Sequence, residues 1–143
     1  MSDKLLRVID VNLNRSREGL RVCEDIVRFV LNDGPLTASF KSARHAITAL
    51  AKGLDGESIG LLKSRNVKKD VGKKTSRRES MRGDIPNIFF ANLQRVKESL
   101  RVLEEITKLL SKKKSQAFKK IRFRVYELEK KSRLRLEVVL HSR

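Results

Sequence analysis

An all-α four-helix bundle, assembled from one helical hairpin used twice, is what the residue pattern of this 143-residue chain predicts. Three observations carry that expectation. Apolar residues recur at three- and four-residue spacing in four stretches separated by turn-forming residues. Residues 12–26 and 92–106 match each other at nine of 15 positions. No convincing sheet pattern is present. The length fits one domain, and a chain of this size can bury roughly two-thirds of its unfolded surface.

The first helix is expected from about Val8 to Leu31, with Leu13, Leu20, Cys23, Val27 and Val30 on one face. Asn32-Asp33-Gly34-Pro35 should end it, because these residues favour caps and turns. A second helix is expected from about Leu36 to Lys52, with Phe40, Ala43, Ile47 and Leu50 inward and Gly53 as its stop. The third starts near Asp84, whose carboxylate suits the free amides of a helix start, with Pro86 at an early position. It carries Phe89, Leu93, Val96, Leu100, Leu103 and Leu110. The fourth, from about Ser115 to Arg133, carries Phe118, Ile121, Val125 and Leu128.

The repeat extends beyond leucines. NLNRSREGLRVCEDI aligns with NLQRVKESLRVLEEI, so that Asn12, Arg15, Glu18, Arg21 and Glu24 stand opposite Asn92, Arg95, Glu98, Arg101 and Glu104. The partner helices echo each other as well, Phe40-Lys41 and Arg44 matching Phe118-Lys119 and Arg122. The implied arrangement is a pair of hairpins about a pseudo-twofold axis. Core packing alone would repeat only the apolar positions, because solvated polar positions are nearly interchangeable. Either the polar set forms ion pairs along each helix, such as Glu18 with Arg21 and Arg21 with Glu24, or it builds a polar site at the bundle centre. Steps of three slip back about 60° around a helix, so one helix cannot aim all five residues at one ligand.

The organisation read from this pattern is a single helical domain: repeat 1 over about 8–53, a basic loop over about 54–83, repeat 2 over about 84–133 and a tail 134–143. The loop holds Arg65, Lys68, Lys69, Lys73, Lys74, Arg77, Arg78 and Arg82 with Gly72 and Gly83. Connections this long are usually functional or disordered. Ile59, Leu61 and Leu62 suit a short helix, and the rest is expected to order over a phosphorylated ligand; a solvated charge run is the alternative. In the tail, Leu134, Leu136, Val138 and Leu140 alternate like a strand, while Leu134 and Val138 also suit a continued helix. The tail is expected either to cover the bundle or to pair with a second copy in a homodimer.

Composition narrows the function classes. The formal charge is +17, from 34 Lys and Arg against 17 Asp and Glu, which concentrates polyanions of any kind near the surface. One cysteine, Cys23, excludes an internal disulfide and fits a reducing compartment. No secretory signal pattern is present at the start, and no run reaches the ~18 apolar residues needed to span a bilayer; a cytoplasmic protein without a membrane partner is expected. Val71-Gly72-Lys73-Lys74-Thr75 fails as a phosphate loop, because Val67 stands where glycine is needed and Lys74 where Ser or Thr is needed. His45 and His141 lack metal-ligand companions, although His45 beside Arg44 could face a phosphate. What remains is many cations, a few carboxylates and no evident general base. Phosphoryl transfer to an acceptor that is itself a phosphate suits this set. Such an acceptor is already an anionic nucleophile, and the work left is alignment and charge neutralisation by Arg, Lys and Mg²⁺.

Several blocks taken together resemble one small family. They are Asp10-Val11-Asn12-Leu13-Asn14-Arg15 through Glu18-Gly19-Leu20-Arg21-Val22-Cys23-Glu24-Asp25, then Arg65 and Asp70-Val71-Gly72, then Ala91-Asn92-Leu93-Gln94-Arg95 through Glu98-Ser99-Leu100-Arg101-Val102-Leu103-Glu104-Glu105, and finally Arg122 with Tyr126-Glu127-Leu128-Glu129. The family is the monofunctional hydroxymethylpyrimidine phosphate kinases of thiamine biosynthesis, often fused ahead of thiamine-phosphate synthase. The resemblance implies an ATP-dependent phosphotransferase that converts hydroxymethylpyrimidine monophosphate to the diphosphate and refuses the free alcohol. It departs from the family in the very basic segment after Gly72 and in the tail. A synthase barrel would need about 200 residues or more, which this chain does not have to spare.

From motif position and charge, Arg21, Arg101, Glu18 and Glu98 are the expected catalytic residues. Asn12, Arg15, Asn92, Arg95, Arg65, Gly72 and Lys73 are expected to bind the pyrimidine or phosphates, and Asp70, Glu24 and Glu104 to hold the metal. ATP and Mg²⁺ are the expected cofactors, and a phosphorylated pyrimidine, a nucleotide and thiamine-phosphate synthase the expected partners. Two alternatives stay open: a non-catalytic partner channelling the pyrimidine to a separate synthase, and a basic nucleic-acid-binding helical module. The latter has the charge but neither aromatic platforms nor a helix-turn-helix pattern.

Overall fold

A computed structural model describes residues 3–54, 62, 64–73 and 83–141. Four long helices are found among them: α1 (Asp3–Asp25), α2 (Gly34–Gly53), α3 (Ile85–Thr107) and α4 (Lys112–His141). They form a ring in which α1 packs on α2 and α3, and α4 packs on α3 and α2. That is the four-helix bundle, with the repeated helices α1 and α3 side by side. Ile9, Leu13, Leu20 and Cys23 of α1 meet Phe40, Ala43 and Ile47 of α2, Phe89, Leu93, Val96, Leu100 and Leu103 of α3, and Phe118, Val125 and Leu128 of α4 in one core. Phe40 and Phe89 pack edge to face with ring centroids 6.0 Å apart. Burial pushes the Cys23 thiol pKa well above its ordinary value, so this cysteine behaves as a small core apolar residue.

The caps explain where the chain turns. Asp33 Oδ1 accepts from the Leu36 amide at 2.9 Å and opens α2; Asp84 Oδ1 accepts from the Asn87 amide at 2.8 Å and opens α3. Both helices carry proline in the first two positions. The first helix ends differently from a simple stop. Ile26–Val30 forms a π turn, with the Leu31 amide donating to the Ile26 carbonyl, and Asn32 closes it with φ 51°. The wider turn still keeps Ile26, Val27 and Leu31 buried, leaving Phe29 outside.

Of the two readings left open for the tail, the continued helix is the one found: α4 runs through it, with Ser132, Leu136 and Val139 facing inward and Leu134 and Val138 exposed. The 132, 136, 139 spacing continues the inward stripe of Val125 and Leu128, so a helical period of three and four overrides the alternation. Leu110, expected on the buried stripe of α3, lies beyond its end and is exposed. Ile59 and Leu61 of the expected short helix, and Lys74, Arg77, Arg78 and Arg82 of the basic loop, lie outside the described residues. Among the described residues no helix is long and apolar enough to cross a membrane.

Candidate functional site

The closest approach of α1 to α3 sets the site. Gly19 lies so near α3 that a Cβ there would stand 2.6 Å from Val96 Cγ2 and 3.0 Å from the Asn92 carbonyl oxygen. Any Cβ there would force Val96 and the α3 backbone to give way, so glycine suits the position. Next to this crossing, a cavity of about 640 Å³ opens between α1, α3 and residues 65–72. α1 contributes a helical stripe comprising Lys4, Arg7, Val8, Val11, Asn14, Arg15 and Glu18, which are three or four positions apart and therefore share a face. α3 contributes Asn92 and Arg95, and the loop contributes Arg65, Asn66, Val67, Asp70 and Gly72. The volume is that of an ordinary small-molecule site.

One ion pair fixes the loop to the helix. Arg65 grips Asp10 with both arms of its guanidinium, Nε to Oδ2 at 2.9 Å and Nη2 to Oδ1 at 2.8 Å. The Asp10 side chain is 10% exposed and that of Arg65 42%, so the carboxylate is buried at the cavity wall while the guanidinium still reaches solvent. The hydrogen bond and charge of Asp10, with a smaller contribution from Glu18, hold the Arg65 pKa above its ordinary value. Within the loop, Asp70 Oδ1 accepts from the Gly72 amide at 2.9 Å, a local turn that leaves Oδ2 for other work.

Charge in the cavity is uneven. Lys4, Arg7, Arg15, Arg65 and Arg95 line it against Asp10, Glu18 and Asp70. With Arg65 and Asp10 paired, Lys4, Arg7, Arg15 and Arg95 still outnumber Glu18 and Asp70 along the lining. Arg15 and Arg95 are repeat mates, so the duplication brings one matching cation from each half to the same cavity. Arg7 and Arg15 make no ion pair among the described residues.

Of the residues expected from sequence, Arg15, Glu18, Arg65, Asp70, Gly72, Asn92 and Arg95 come together here. The others do not line the cavity. Arg21 is exposed and pairs with Glu24 at 3.6 Å and Asp25 at 3.9 Å; Arg101 is exposed and pairs with Glu104 at 3.3 Å and Glu105 at 3.1 Å. Glu24 and Glu104 are buried, each facing an arginine of the neighbouring helix. Glu24 accepts from Arg44 Nε at 3.0 Å, and Glu104 accepts from Arg122 Nε at 3.0 Å. These are mirrored clamps, α1 to α2 and α3 to α4. Asn12 is buried, its Nδ2 donating to the Val8 carbonyl, while Glu98 and Lys73 are exposed elsewhere. His45 is exposed on α2. Among the described residues no group of three or more His, Cys, Asp or Glu is placed to hold a metal unaided.

Sequence reasoning gave no site role to Lys4, Arg7, Asp10, Asn14, Asn66 or the valines Val8, Val11 and Val67. The stripe spacing along α1 was the available signal for most of them; the Asp10–Arg65 pairing joins residues 55 positions apart and has no periodic signature.

The model of the ThiD2 family matches residues 7–131, which contain every cavity residue except Lys4. The chain is similar to the thiamine-phosphate synthase of Synechocystis sp., with 39% identity over 126 residues covering 87% of this chain and 35% of the relative. To that of Nostoc sp. it is 40% identical over 124 residues, covering 86% and 34%. To that of Rhodopirellula baltica it is 33% identical over 126 residues, covering 87% and 33%. The chain thus spans about a third of the length of the curated relatives it matches. No solved structure matches it.

Proposed function

Because the chain belongs to the ThiD2 family, we propose that it serves thiamine biosynthesis as an ATP-dependent kinase of hydroxymethylpyrimidine monophosphate. The observation that carries this reading is a cavity in which cations from both repeats converge and outnumber the carboxylates. The likeness to thiamine-phosphate synthases supports the pathway. The resemblance of the Glu-x-x-Arg-Val-x-Glu blocks to pyrimidine phosphate kinases supports the reaction.

In that reaction an oxygen of the acceptor monophosphate attacks the γ-phosphorus of ATP, the bond to the ADP oxygen breaks, and a diphosphate forms. The acceptor oxygen is already ionised near neutral pH, so no side chain need remove a proton. The difficulty is bringing two anions together. Arg15 and Arg95, with Arg7 and Lys4 behind them, lower that repulsion and orient the phosphates. Asp10 holds Arg65, and through it the loop wall, in place. Mg²⁺ commonly takes one or two protein carboxylates and completes its shell with phosphate oxygens and water. Glu18 and the open Oδ2 of Asp70 fit that need and would hold it. Bound there, the ion would neutralise charge on the transferred phosphoryl group.

A coupled ADP-release assay tests the proposal. Mg²⁺-dependent ADP formation with the monophosphate, and none with the free alcohol, is expected. Transfer to the alcohol alone would overturn the acceptor assignment. Tight binding of the monophosphate with no turnover would instead make the chain an accessory that hands the pyrimidine to a synthase.

A further inference from the structure

Three asparagines line three different walls of the cavity, and each has one half of its amide already engaged. Asn14, on α1, accepts from Arg17 Nη2 through Oδ1 at 3.1 Å. Asn66, on the loop, accepts from the Lys69 amide through Oδ1 at 3.1 Å. Asn92, on α3, donates from Nδ2 to the Ile88 carbonyl at 2.8 Å. An amide held this way cannot flip without breaking that bond, so the free half is defined. Asn14 and Asn66 each keep an Nδ2 donor, and Asn92 keeps its Oδ1 acceptor, with no partner among the described residues. Apolar surface is supplied beside them by Val8 and Val11 from α1 and Val67 from the loop. The close approach at Gly19 sets how near Asn92 stands to α1.

Two donors and one acceptor in a cavity that Val8, Val11 and Val67 also line suit a heteroaromatic ring with an exocyclic amine next to a ring nitrogen. We propose that Asn14, Asn66 and Asn92 read such an amidine edge on a phosphorylated ring, whose phosphate is met by Arg15 and Arg95. Asn92 Oδ1 accepts from the exocyclic amine, and the Nδ2 groups donate to ring nitrogens. This inference rests on reading the cavity as the substrate seat and names its specificity-determining residues. An oxo ring of the same shape places a carbonyl against Asn92 Oδ1 and a ring N–H against a donor. Polar groups left unpaired by the wrong ring are what allow rejection of near-isosteres. Both a 4-aminopyrimidine and adenine carry the amidine edge, so the test separates them.

Calorimetric titration of the full chain, without a phosphoryl donor, uses two ligand pairs: amino-hydroxymethylpyrimidine monophosphate with its oxo counterpart, and AMP with IMP. The amino member of at least one pair is expected to bind about tenfold tighter or more than its oxo partner. The pair that discriminates identifies the ring seated in this cavity. Asn66→Ala and Asn92→Leu should each remove most of the discrimination by weakening the amino ligand alone. Equal affinity within both pairs, or unchanged discrimination in both folded variants, overturns the proposal. Its failure is separable from failure of the kinase reading. Discrimination in binding with no ADP release sinks only the kinase, and ADP release with the pyrimidine monophosphate beside equal affinity within both ligand pairs sinks only the amide reader.

Discussion

Removing the Glu104 carboxylate should cost far more than removing Arg101, the exposed arginine of its own helix that also touches it. Glu104 has a side chain only 5% exposed and accepts from Arg122 Nε at 3.0 Å and from Arg101 Nη1 at 3.3 Å. Arg122 is itself 12% exposed, whereas Arg101 is 55% exposed. Glu104→Ala leaves the Arg122 guanidinium nearly buried, with the Tyr126 hydroxyl at 3.2 Å as its remaining hydrogen-bond partner among the described residues. Breaking a buried pair by deleting one member costs about 3–5 kcal/mol, because the other charge is stranded. Arg101→Ala strands nothing in the interior and should stay within about 0.5 kcal/mol of wild type. In urea titrations the midpoint of Glu104→Ala should fall with m unchanged, and its Tm should drop by roughly 2–4 °C per kcal/mol lost. The double variant Glu104→Ala/Arg122→Ala should recover part of the loss. A Glu104→Ala cost below about 1 kcal/mol, or an Arg101→Ala cost equal to it, would show that the clamp is not what holds α3 to α4.

Other perturbations have equally definite outcomes. Gly19→Ala sets the roughly 1 kcal/mol gained in helix propensity against overpacking on a Val96 side chain that is rotamer-locked in a helix and on a backbone oxygen. A net loss of about 1–2 kcal/mol in denaturation and weaker ligand binding are expected. Arg65→Lys should fail to replace arginine, since a single ammonium cannot make both contacts to Asp10; KM for the cavity ligand should rise while global unfolding shifts by no more than about 1–2 kcal/mol. Leu136→Ala should cost about 2–5 kcal/mol by thermal or chemical unfolding, and Leu134→Ala, on the exposed side of the same helix, about 0.5 kcal/mol or less.

The bundle was legible because its signals are local and repeated. Four apolar stripes and two aspartate caps with early prolines set the helices, and the matched halves set their arrangement. What escaped was fixed by partners distant in sequence. The π turn at Ile26–Val30 has no periodic signature, because Val27 and Leu31, four positions apart and both buried, fit an ordinary α-helical stripe equally well. The tail stayed ambiguous in sequence because its alternation of Leu134, Leu136 and Val138 fits a strand as well as a helix; in the structure Leu134 and Val138 face water while Leu136 and Val139 pack.

The repeated polar residues proved to be two populations. Arg15 and Arg95 enter the cavity, but Glu24 and Glu104 repeat because each anchors an arginine of the next helix, Arg44 or Arg122. Asn12 and Asn92 both bond back to a carbonyl four residues earlier. The matching of Arg44 with Arg122 was visible in the sequence and pointed to those clamps. Asp10, by contrast, has Phe90 as its repeat mate, so the very asymmetry that lets the loop dock on α1 hid it from a comparison of the halves.

The most direct test measures kcat/KM for ADP release with the pyrimidine monophosphate in four folded variants: Arg15→Ala, Arg95→Ala, Arg21→Ala and Arg101→Ala. The first two should fall about a hundredfold or more, as removal of a charge-stabilising group at a reacting phosphate does, while the latter two stay near wild type. Full activity in Arg15→Ala and Arg95→Ala, with loss in Arg21→Ala and Arg101→Ala, would place the chemistry outside this cavity and contradict the account.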